Sequence, residues 1–289
     1  MAFFIESNMN LYVIHAGNFK LDGGAMFGVV PKSIWNNLNP ADENNMCTWA
    51  MRCLLIEDKD KLILIDAGIG DKQSEKFFSY YYLHGPHSLL SSLRENGFTH
   101  KDITDVFFTH LHFDHCGGAV KRSRENPDEF ELVFNKARYW TNKNHLKWAI
   151  KPNPREKASF LKENILPIEE HGKLNLIGEK NPFSEQFDII YANGHTESQM
   201  LPKIKYKGQT IVFVADLIPS AGHIPLPYVM GYDTRPLLTI KEKESFLNEA
   251  VRKNYILFFE HDPLIECATV HNTEKGVRIE STFPLSDIL

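Results

Sequence analysis

Short apolar runs alternate with segments of helical periodicity along the whole chain, which predicts a layered α/β protein. The runs are bounded by polar residues and are typical of buried strands; they lie at 53–56, 62–65, 106–108, 211–214 and 255–259. Polar residues Asp58, Lys59 and Asp60 separate the first two runs and predict a hairpin turn. The run at 255–259 is interpreted as the final buried strand.

Three segments have the pattern of helices. Residues 88–96 place leucines on one face and are followed by Gly97, a residue common just after helix ends. Residues 155–165 follow a proline-rich break and predict a second helix. Residues 239–242 resemble a capping box at the start of a third helix, whose apolar stripe includes Phe246 and Ala250.

Composition and charge exclude several classes of function. A chain of 289 residues with 43% hydrophobic and 24% charged residues is ordinary for a globular protein. A net charge of −5 gives no electrostatic basis for binding nucleic acid. The N-terminus lacks the pattern of a signal peptide, no apolar run is long enough to span a membrane, and the four cysteines form no CxxC pair. These features predict a cytoplasmic protein with reduced thiols.

The chemistry is concentrated directly after the strand at 106–108, in the string THLHFDHCGG (residues 109–118). Three imidazoles and a carboxylate within six residues form a donor set for Zn, Fe, Ni, Cu or Mn. Because residues two apart on an extended chain point the same way, His110 and His112 can reach one ion together. Asp114 and His115 follow a turn and are expected to face a second ion, while Gly117 and Gly118 allow unusual backbone angles and close approach at the turn.

Three later strand ends carry residues of the same type. His195 follows the strand pattern ending at Tyr191, Asp216 follows the run at 211–214, and His261 follows the run at 255–259. Strands of one sheet present their ends along a common edge, where α/β proteins usually build their sites. These three residues are therefore predicted to complete the site, whereas His223 is ambiguous.

In order and spacing these motifs resemble the metallo-β-lactamase superfamily, specifically its dinuclear hydrolase branch with N-acyl-homoserine lactonases, methyl parathion hydrolase and glyoxalase II. The resemblance runs from Leu64-Ile65-Asp66-Ala67-Gly68 to Glu260-His261-Asp262. It implies one domain over residues 1–289 and a four-layer αβ/βα sandwich, in which two mixed β-sheets face each other with helices outside.

The resemblance also implies the ligands and the reaction. One metal ion would bind His110, His112 and His195; a second would bind Asp114, His115 and His261; Asp216 would bridge them. Asp66 is a candidate partner that orients a ligand histidine or, alternatively, a turn-forming residue before Gly68. The expected cofactors are two divalent ions, zinc or alternatively manganese or iron. A hydroxide bridging them would cleave an ester, lactone, thioester or related bond of a small molecule, with lactonase-like chemistry favoured and Asp114 and Asp216 as the catalytic carboxylates.

Alternatives remain at this stage. A di-iron oxygen or nitric oxide reductase of the same fold would have Glu in place of His112, and a non-catalytic metal-binding protein would need only one closed site. Homoserine lactonases carry a tyrosine three residues after the bridging aspartate, where this chain has Pro219. Tyr228 and Tyr232 are candidates to replace it, although their segment is interpreted first as a structural loop. No nucleic-acid or membrane partner is expected, and a homodimer is left open.

Overall fold

The structure is a computed structural model that describes residues 9–178, 183 and 187–289. Within these residues the chain forms fourteen strands: β1 (Asn10–Asp22), β2 (Met46–Asp58), β3 (Lys61–Ile65), β4 (Asp105–Phe107), β5 (Val120–Arg122), β6 (Phe130–Leu132), β7 (Arg138–Asn142), β8 (Leu174–Ile177), β9 (Phe187–Ala192), β10 (Gln199–Tyr206), β11 (Gln209–Phe213), β12 (Ile256–Phe258), β13 (Cys267–Thr273) and β14 (Gly276–Phe283).

The same residues form eight α-helices: α1 (Gly23–Phe27), α2 (Lys32–Trp35), α3 (Glu75–Phe78), α4 (Leu89–Glu95), α5 (Phe113–Cys116), α6 (Lys143–Ile150), α7 (Lys162–Glu170) and α8 (Pro236–Lys253). Short 3₁₀ turns lie at Gly117–Ala119, Ala215–Leu217, Ala221–His223 and Leu285–Ile288.

Twelve of these strands form two six-stranded sheets. The first has the order β1-β2-β3-β4-β7-β8, and the second has the order β14-β13-β12-β11-β10-β9. Both are mixed, because β3, β4, β7 and β8 run parallel in the first sheet and β11 and β12 run parallel in the second, whereas the other pairs are antiparallel. The predicted sandwich of two mixed sheets is therefore confirmed.

Alternating side chains of the central strands separate two cores. On β2, Leu54 joins the core shared with the second sheet, while Leu55 joins the core that contains Leu93 of α4 and Ile165 of α7. This division follows from the strand's two-residue period, since neighbouring side chains point to opposite faces. Both cores are fully buried at these positions, so the sheets pack face to face and helices cover the outer side.

Local predictions have mixed outcomes. The hairpin at 58–60 connects β2 and β3, and α4 begins after Ser88 with a capping box. The predicted helix at 155–165 begins only at Lys162, because the Asn153 side chain accepts hydrogen bonds from the backbone N–H groups of Arg155 and Glu156 and holds a turn. The strand at 256–258 is not the last, since β13 and β14 follow it.

The capping box predicted at 239–242 is wrong. Helix α8 begins at Pro236, whose fixed φ and missing N–H suit the first helical position. Glu242 instead turns away from its own helix and accepts hydrogen bonds from the backbone N–H groups of Asn193 and Gly194, at 2.9–3.0 Å. The carboxylate thus holds the loop between β9 and β10 that carries His195.

Helix α8 also fixes the loop at 223–233 through one buried lysine. Lys243 is fully buried, and its Nζ donates to the carbonyl oxygens of His223, Pro225 and Tyr228 at 2.9, 3.1 and 2.8 Å. Burial lowers the pKa of this amine to about 7. Three carbonyls converging on one donor group keep the loop in a single conformation.

Among the described residues, no helix combines the length and the apolar character that crossing a membrane requires.

We expect Lys243→Met to lower the free energy of unfolding by about 2–4 kcal/mol, because it leaves three buried carbonyls without their donor. Lys241→Met, on the exposed side of the same helix, is the matched control and should change stability by less than about 0.5 kcal/mol. Urea denaturation of the two variants measures both values. Equal stability of the two would contradict this role for Lys243.

Candidate metal centre

Seven of the predicted site residues meet at one edge of the two sheets. His110 and His112 follow β4, and α5 carries Asp114 and His115. The second sheet contributes residues from the ends of three strands, namely His195 after β9, Asp216 after β11 and His261 after β12. All seven are buried, with at most 9% of any residue exposed.

The side chains form two groups around Asp216. In the first, His112 Nδ1 lies 3.0 Å from His110 Nε2 and 3.1 Å from His195 Nε2. In the second, His261 Nε2 lies 3.2 Å from His115 Nε2, and Asp114 Oδ2 lies 3.8–3.9 Å from both nitrogens. Each group offers three side chains whose ligand atoms converge.

Asp216 lies between these two groups. Its Oδ2 is 3.0 Å from His195 Nε2 and 3.6 Å from His110 Nε2, and its Oδ1 is 3.1 Å from His261 Nε2. The preceding residue, Ala215, has φ of +39°, a left-handed backbone that costs free energy for a residue with a side chain. The structure retains this strain at the turn that directs the carboxylate between both groups.

Most of the rings direct their outer nitrogen at an acceptor. His195 Nδ1 donates to Asp233 at 3.0 Å, and His261 Nδ1 donates to the Ala50 carbonyl at 2.8 Å. His110 Nδ1 lies 3.1 Å from the Thr109 hydroxyl, whose own proton goes to a carboxylate. Since a neutral imidazole carries one N–H, these contacts leave the inner Nε2 lone pairs free.

Asp66 connects the two ends of the motif. It accepts hydrogen bonds from the Thr109 N–H and hydroxyl at 2.8 and 2.6 Å, and it lies 3.0 Å from His115 Nδ1. Glu260 approaches the same nitrogen at 3.0 Å, and burial raises the pKa of this glutamate to about 8. Both carboxyl groups contact the outer nitrogen of His115, and we interpret them as groups that orient the ring.

The donor set suits divalent metal ions. Inner imidazole nitrogens approach one another at 3.0–3.2 Å, so each pair needs a proton or a metal ion between its lone pairs. Three imidazoles with one carboxylate, and two imidazoles with two carboxylates, match the ligands that zinc, manganese and iron take in proteins.

The carboxylate at the centre also controls protonation of the rings around it. Burial alone would lower the pKa of His195 and of His261, but contact with Asp216 outweighs it and raises them to about 10 and about 9. The pKa of His115 is also raised well above its usual value, because Glu260, Asp114 and Asp216 outweigh the effect of burial. In the metal-free protein these rings therefore carry protons where metal ions would bind.

Packing around the motif depends on two glycines and one buried histidine. The close approach predicted at Gly117 and Gly118 is confirmed, because a Cβ on Gly118 would overlap the Ala67 carbonyl oxygen, whereas neither glycine has the predicted unusual backbone angle. Leu111, between the first two motif histidines, donates its N–H to Nε2 of the buried His145 at 2.8 Å. His145 thus holds the motif backbone without facing the metal groups.

A cavity of about 320 Å³ opens onto the site, and its walls contain both apolar and polar side chains. Apolar side chains from several segments form one part of it, namely Leu21, Met26, Phe113 and Met230. Polar groups of the lining include Tyr81, Arg155, Glu156, Ser159, Tyr232 and the metal-facing residues His112, Asp114, His195, Asp216 and His261. The volume and mixed walls are typical of a site for a small molecule.

The two candidate tyrosines, Tyr228 and Tyr232, differ in their position relative to the cavity. Tyr232 lines the cavity, whereas Tyr228 does not and packs against the apolar cluster that contains Met26 and Met230. Burial raises the pKa of Tyr232, with additional contributions from Tyr81 and the charge of Asp114. Pro219 has another role, because its carbonyl accepts the His261 N–H at 3.2 Å.

The ambiguous His223 is a packing residue. It is fully buried, stacks on Phe27 with ring centroids 4.3 Å apart, and lies 2.8 Å from the Ser220 hydroxyl and 2.9 Å from the Met26 carbonyl. Burial lowers its pKa to about 3. The four cysteines are likewise buried and unpaired, in agreement with the predicted free thiols.

Three buried carboxylates near the rings escaped the sequence reasoning. Asp233 and Glu156 lie in loops without a motif, far in sequence from His195 and His112, which they approach. Glu260 directly precedes His261, and this adjacency was the only available signal. A search for ligand-type residues at strand ends does not find Asp233 and Glu156, because only tertiary contacts bring them to their partners.

Comparison with known proteins agrees with this arrangement. Residues 52–261 match the model of the metallo-beta-lactamase superfamily. An N-acyl homoserine lactonase of Bacillus cereus is 23% identical over 266 residues, which cover 87% of this chain and 92% of the relative.

Two solved structures have the same overall architecture. A probable metal-dependent hydrolase from Staphylococcus aureus superposes with a TM-score of 0.85 at 28% identity, over 96% of this chain and 97% of that one. A dizinc quorum-quenching lactonase in complex with its product superposes with a TM-score of 0.78 at 22% identity, also over 96% and 97%.

We expect metal binding to release protons, because the pKa values of about 10 for His195 and about 9 for His261 keep both rings charged at about pH 7.5. Apparent affinity for zinc should therefore rise as pH increases from about 6 to about 9. Calorimetric titration of metal-free protein in buffers of different ionisation enthalpy measures the protons released. Heats that do not depend on the buffer would contradict this protonation pattern.

Proposed function

The chain belongs to the metallo-beta-lactamase superfamily, and from this membership and the geometry of the site we propose that it is a dinuclear metal-dependent hydrolase. The observation that carries the proposal is Asp216, which lies between the two groups of ligand atoms. Its Oδ2 is within 3.6 Å of Nε2 of His195, His110 and His115, and its Oδ1 is 3.1 Å from His261 Nε2. His110, His112 and His195 would hold one ion, Asp114, His115 and His261 the other, and Asp216 would contact both.

Two divalent ions held in this way supply Lewis acids that polarise the bond under attack and make water a stronger nucleophile near neutral pH. The protein orients the ligand rings through Asp233, Asp66 and the Ala50 carbonyl, so little reorganisation is needed during reaction. Asp114 lines the cavity and is placed to accept a proton from the attacking water and return it to the leaving group.

For the substrate we propose a small carboxylic ester, with a lactone favoured. The apolar side chains of the cavity suit an alkyl or acyl portion of the substrate, while its polar side chains can contact the reacting groups. The relatives named N-acyl homoserine lactonase, and the lactonase structure holding an N-acylated homoserine as its product, support this substrate class.

Tyr81 and Tyr232 are proposed to hydrogen-bond the substrate. Both line the cavity, and neither hydroxyl has a hydrogen-bond partner within residues 9–178 and 187–289. A phenol left unpartnered beside Asp114 can donate to a carbonyl or ester oxygen without first breaking a protein contact.

We expect Asp216→Ala to remove most of the bound metal and to lower kcat/KM for a hydrolysed lactone by at least about a thousandfold, because it removes the ligand shared by both ions. Elemental analysis and a panel of lactones, thioesters, aryl phosphotriesters and β-lactams measure the two effects. Asp128→Ala in an exposed loop is the control. Two tightly bound ions and full turnover in Asp216→Ala would overturn the proposal, as would wild type with one ion and no turnover.

Removing the hydroxyl in Tyr232→Phe should lower kcat/KM about tenfold, equivalent to about 1.4 kcal/mol from one hydrogen bond to the substrate. Tyr228→Phe is the matched control from the same loop, and its kcat/KM should stay within about twofold of wild type. Steady-state kinetics on the best substrate of the panel compares them. Equal kinetics for the two variants would remove Tyr232 from substrate binding.

A further inference from the structure

A buried carboxylate beside the cavity has no role in the chemistry described so far. Glu156 lies in the turn between α6 and α7 and is 3% exposed. Asn153 holds this turn, because its Oδ1 accepts the N–H groups of Arg155 and Glu156 at 2.9 and 3.2 Å. The turn therefore presents Glu156 inward, although it belongs to neither sheet.

The two oxygens of Glu156 have different surroundings. Oε2 accepts hydrogen bonds from Trp148 Nε1 at 2.6 Å and from Asn153 Nδ2 at 2.5 Å. Oε1 lies 3.5 Å from His112 Nε2. Both of these facing atoms are buried, and no other group in the part of the chain that the structure describes is hydrogen-bonded to either of them. Burial alone would raise the pKa of this carboxylate, but His112 and the Thr196 hydroxyl, which also faces it, lower the pKa to about 2. Trp148 and Asn153 thus fix the carboxylate with its free oxygen against one ring.

His112 differs from the other rings in the atom that it presents to the site. His110, His115, His195 and His261 direct Nε2 inward, whereas His112 directs Nδ1 at its neighbours, 3.0 Å from His110 Nε2. Its N–H must therefore be on Nε2 if Nδ1 is to offer a lone pair. An acceptor at Nε2 favours this tautomer, and a donor there would favour the opposite one.

From this geometry we propose that Glu156 is a positioning residue that holds His112 in the Nε2–H tautomer and so makes Nδ1 a metal ligand. The inference rests on the proposed metal centre. It connects this centre to the segment that forms the cavity wall, because Arg155 donates to the Gly231 carbonyl and the Ser159 carbonyl accepts the Phe113 N–H at 2.9 Å.

The substitution Glu156→Gln separates this role from a structural one. The amide oxygen of the new side chain can accept both hydrogen bonds from Trp148 and Asn153, since both partners are donors. Its NH₂ group must then face His112 Nε2, which favours the Nδ1–H tautomer and removes the lone pair from the ligand atom. The fold keeps its contacts while the metal group of His110, His112 and His195 loses one ligand.

We expect Glu156→Gln to weaken binding of one zinc ion about 10–100-fold and to leave the other ion bound. Competition with a chromophoric chelator measures both affinities, and urea denaturation of the metal-free variants should show unchanged stability. Glu170→Gln, exposed at the end of α7, is the control and should bind both ions as wild type does. Glu156→Asp, which restores an acceptor, should recover part of the affinity.

The second readout is the tautomer itself. Long-range ¹H–¹⁵N correlation spectra of zinc-loaded, ¹⁵N-histidine-labelled protein should show the His112 proton on Nε2 in wild type and a changed pattern in Glu156→Gln. The ring is assigned by its absence from the spectrum of His112→Asn.

Each result separates the two hypotheses. If wild type binds no zinc pair, the proposed function fails. If wild type binds two ions but Glu156→Gln keeps both affinities and the Nε2 proton, the positioning role fails alone. Unchanged zinc binding with lost kcat would also overturn it, since Glu156 would then act on the substrate.

Discussion

Burying five imidazoles around one carboxylate is unfavourable unless a positive charge compensates the convergence of lone pairs and negative charge. In the metal-free protein, protons on His195 and His261 provide this charge, as their raised pKa values indicate. Divalent ions would provide this positive charge more completely, because each brings two charges to one point and displaces protons from its ligands. The site therefore favours cations, and Asp216 is the residue that contacts both groups.

Contacts from the rest of the fold hold these buried histidines and carboxylates in place although their close approach is electrostatically unfavourable. The ligand rings are not held by the metal motif alone but by outer contacts from distant segments, such as Asp66 to His115 and Asp233 to His195. The backbone of β2 also pairs with the strand end that carries His261, with the Ala50 N–H donating to the His261 carbonyl at 3.0 Å. This last contact joins the strand end that carries His261 to the other sheet, so the packing of the sandwich fixes the position of this ring.

Loops and turns supply part of the cavity wall. They include the loop at 223–233, which Lys243 fixes, and the turn that contains Arg155 and Glu156. Such loops can vary without disturbing the strand ends, which explains how one metal-binding framework serves different substrates within a superfamily. In this chain Pro219 supports His261 through its backbone, and the cavity hydroxyls come from Tyr81 and Tyr232 instead.

Sequence alone determined the features that depend on local spacing and period. The unbroken apolar run at 53–56 predicted a buried strand, and the string at 109–118 predicted two diverging sets of ligands. Tertiary structure decided which distant groups complete them. Glu156 and Asp233 carry no pattern of their own, and Glu242, which suggested a helix start, caps another loop. The physical reason is that a side chain's periodicity is a property of its own segment, whereas a buried hydrogen bond needs the partner that folding brings to it.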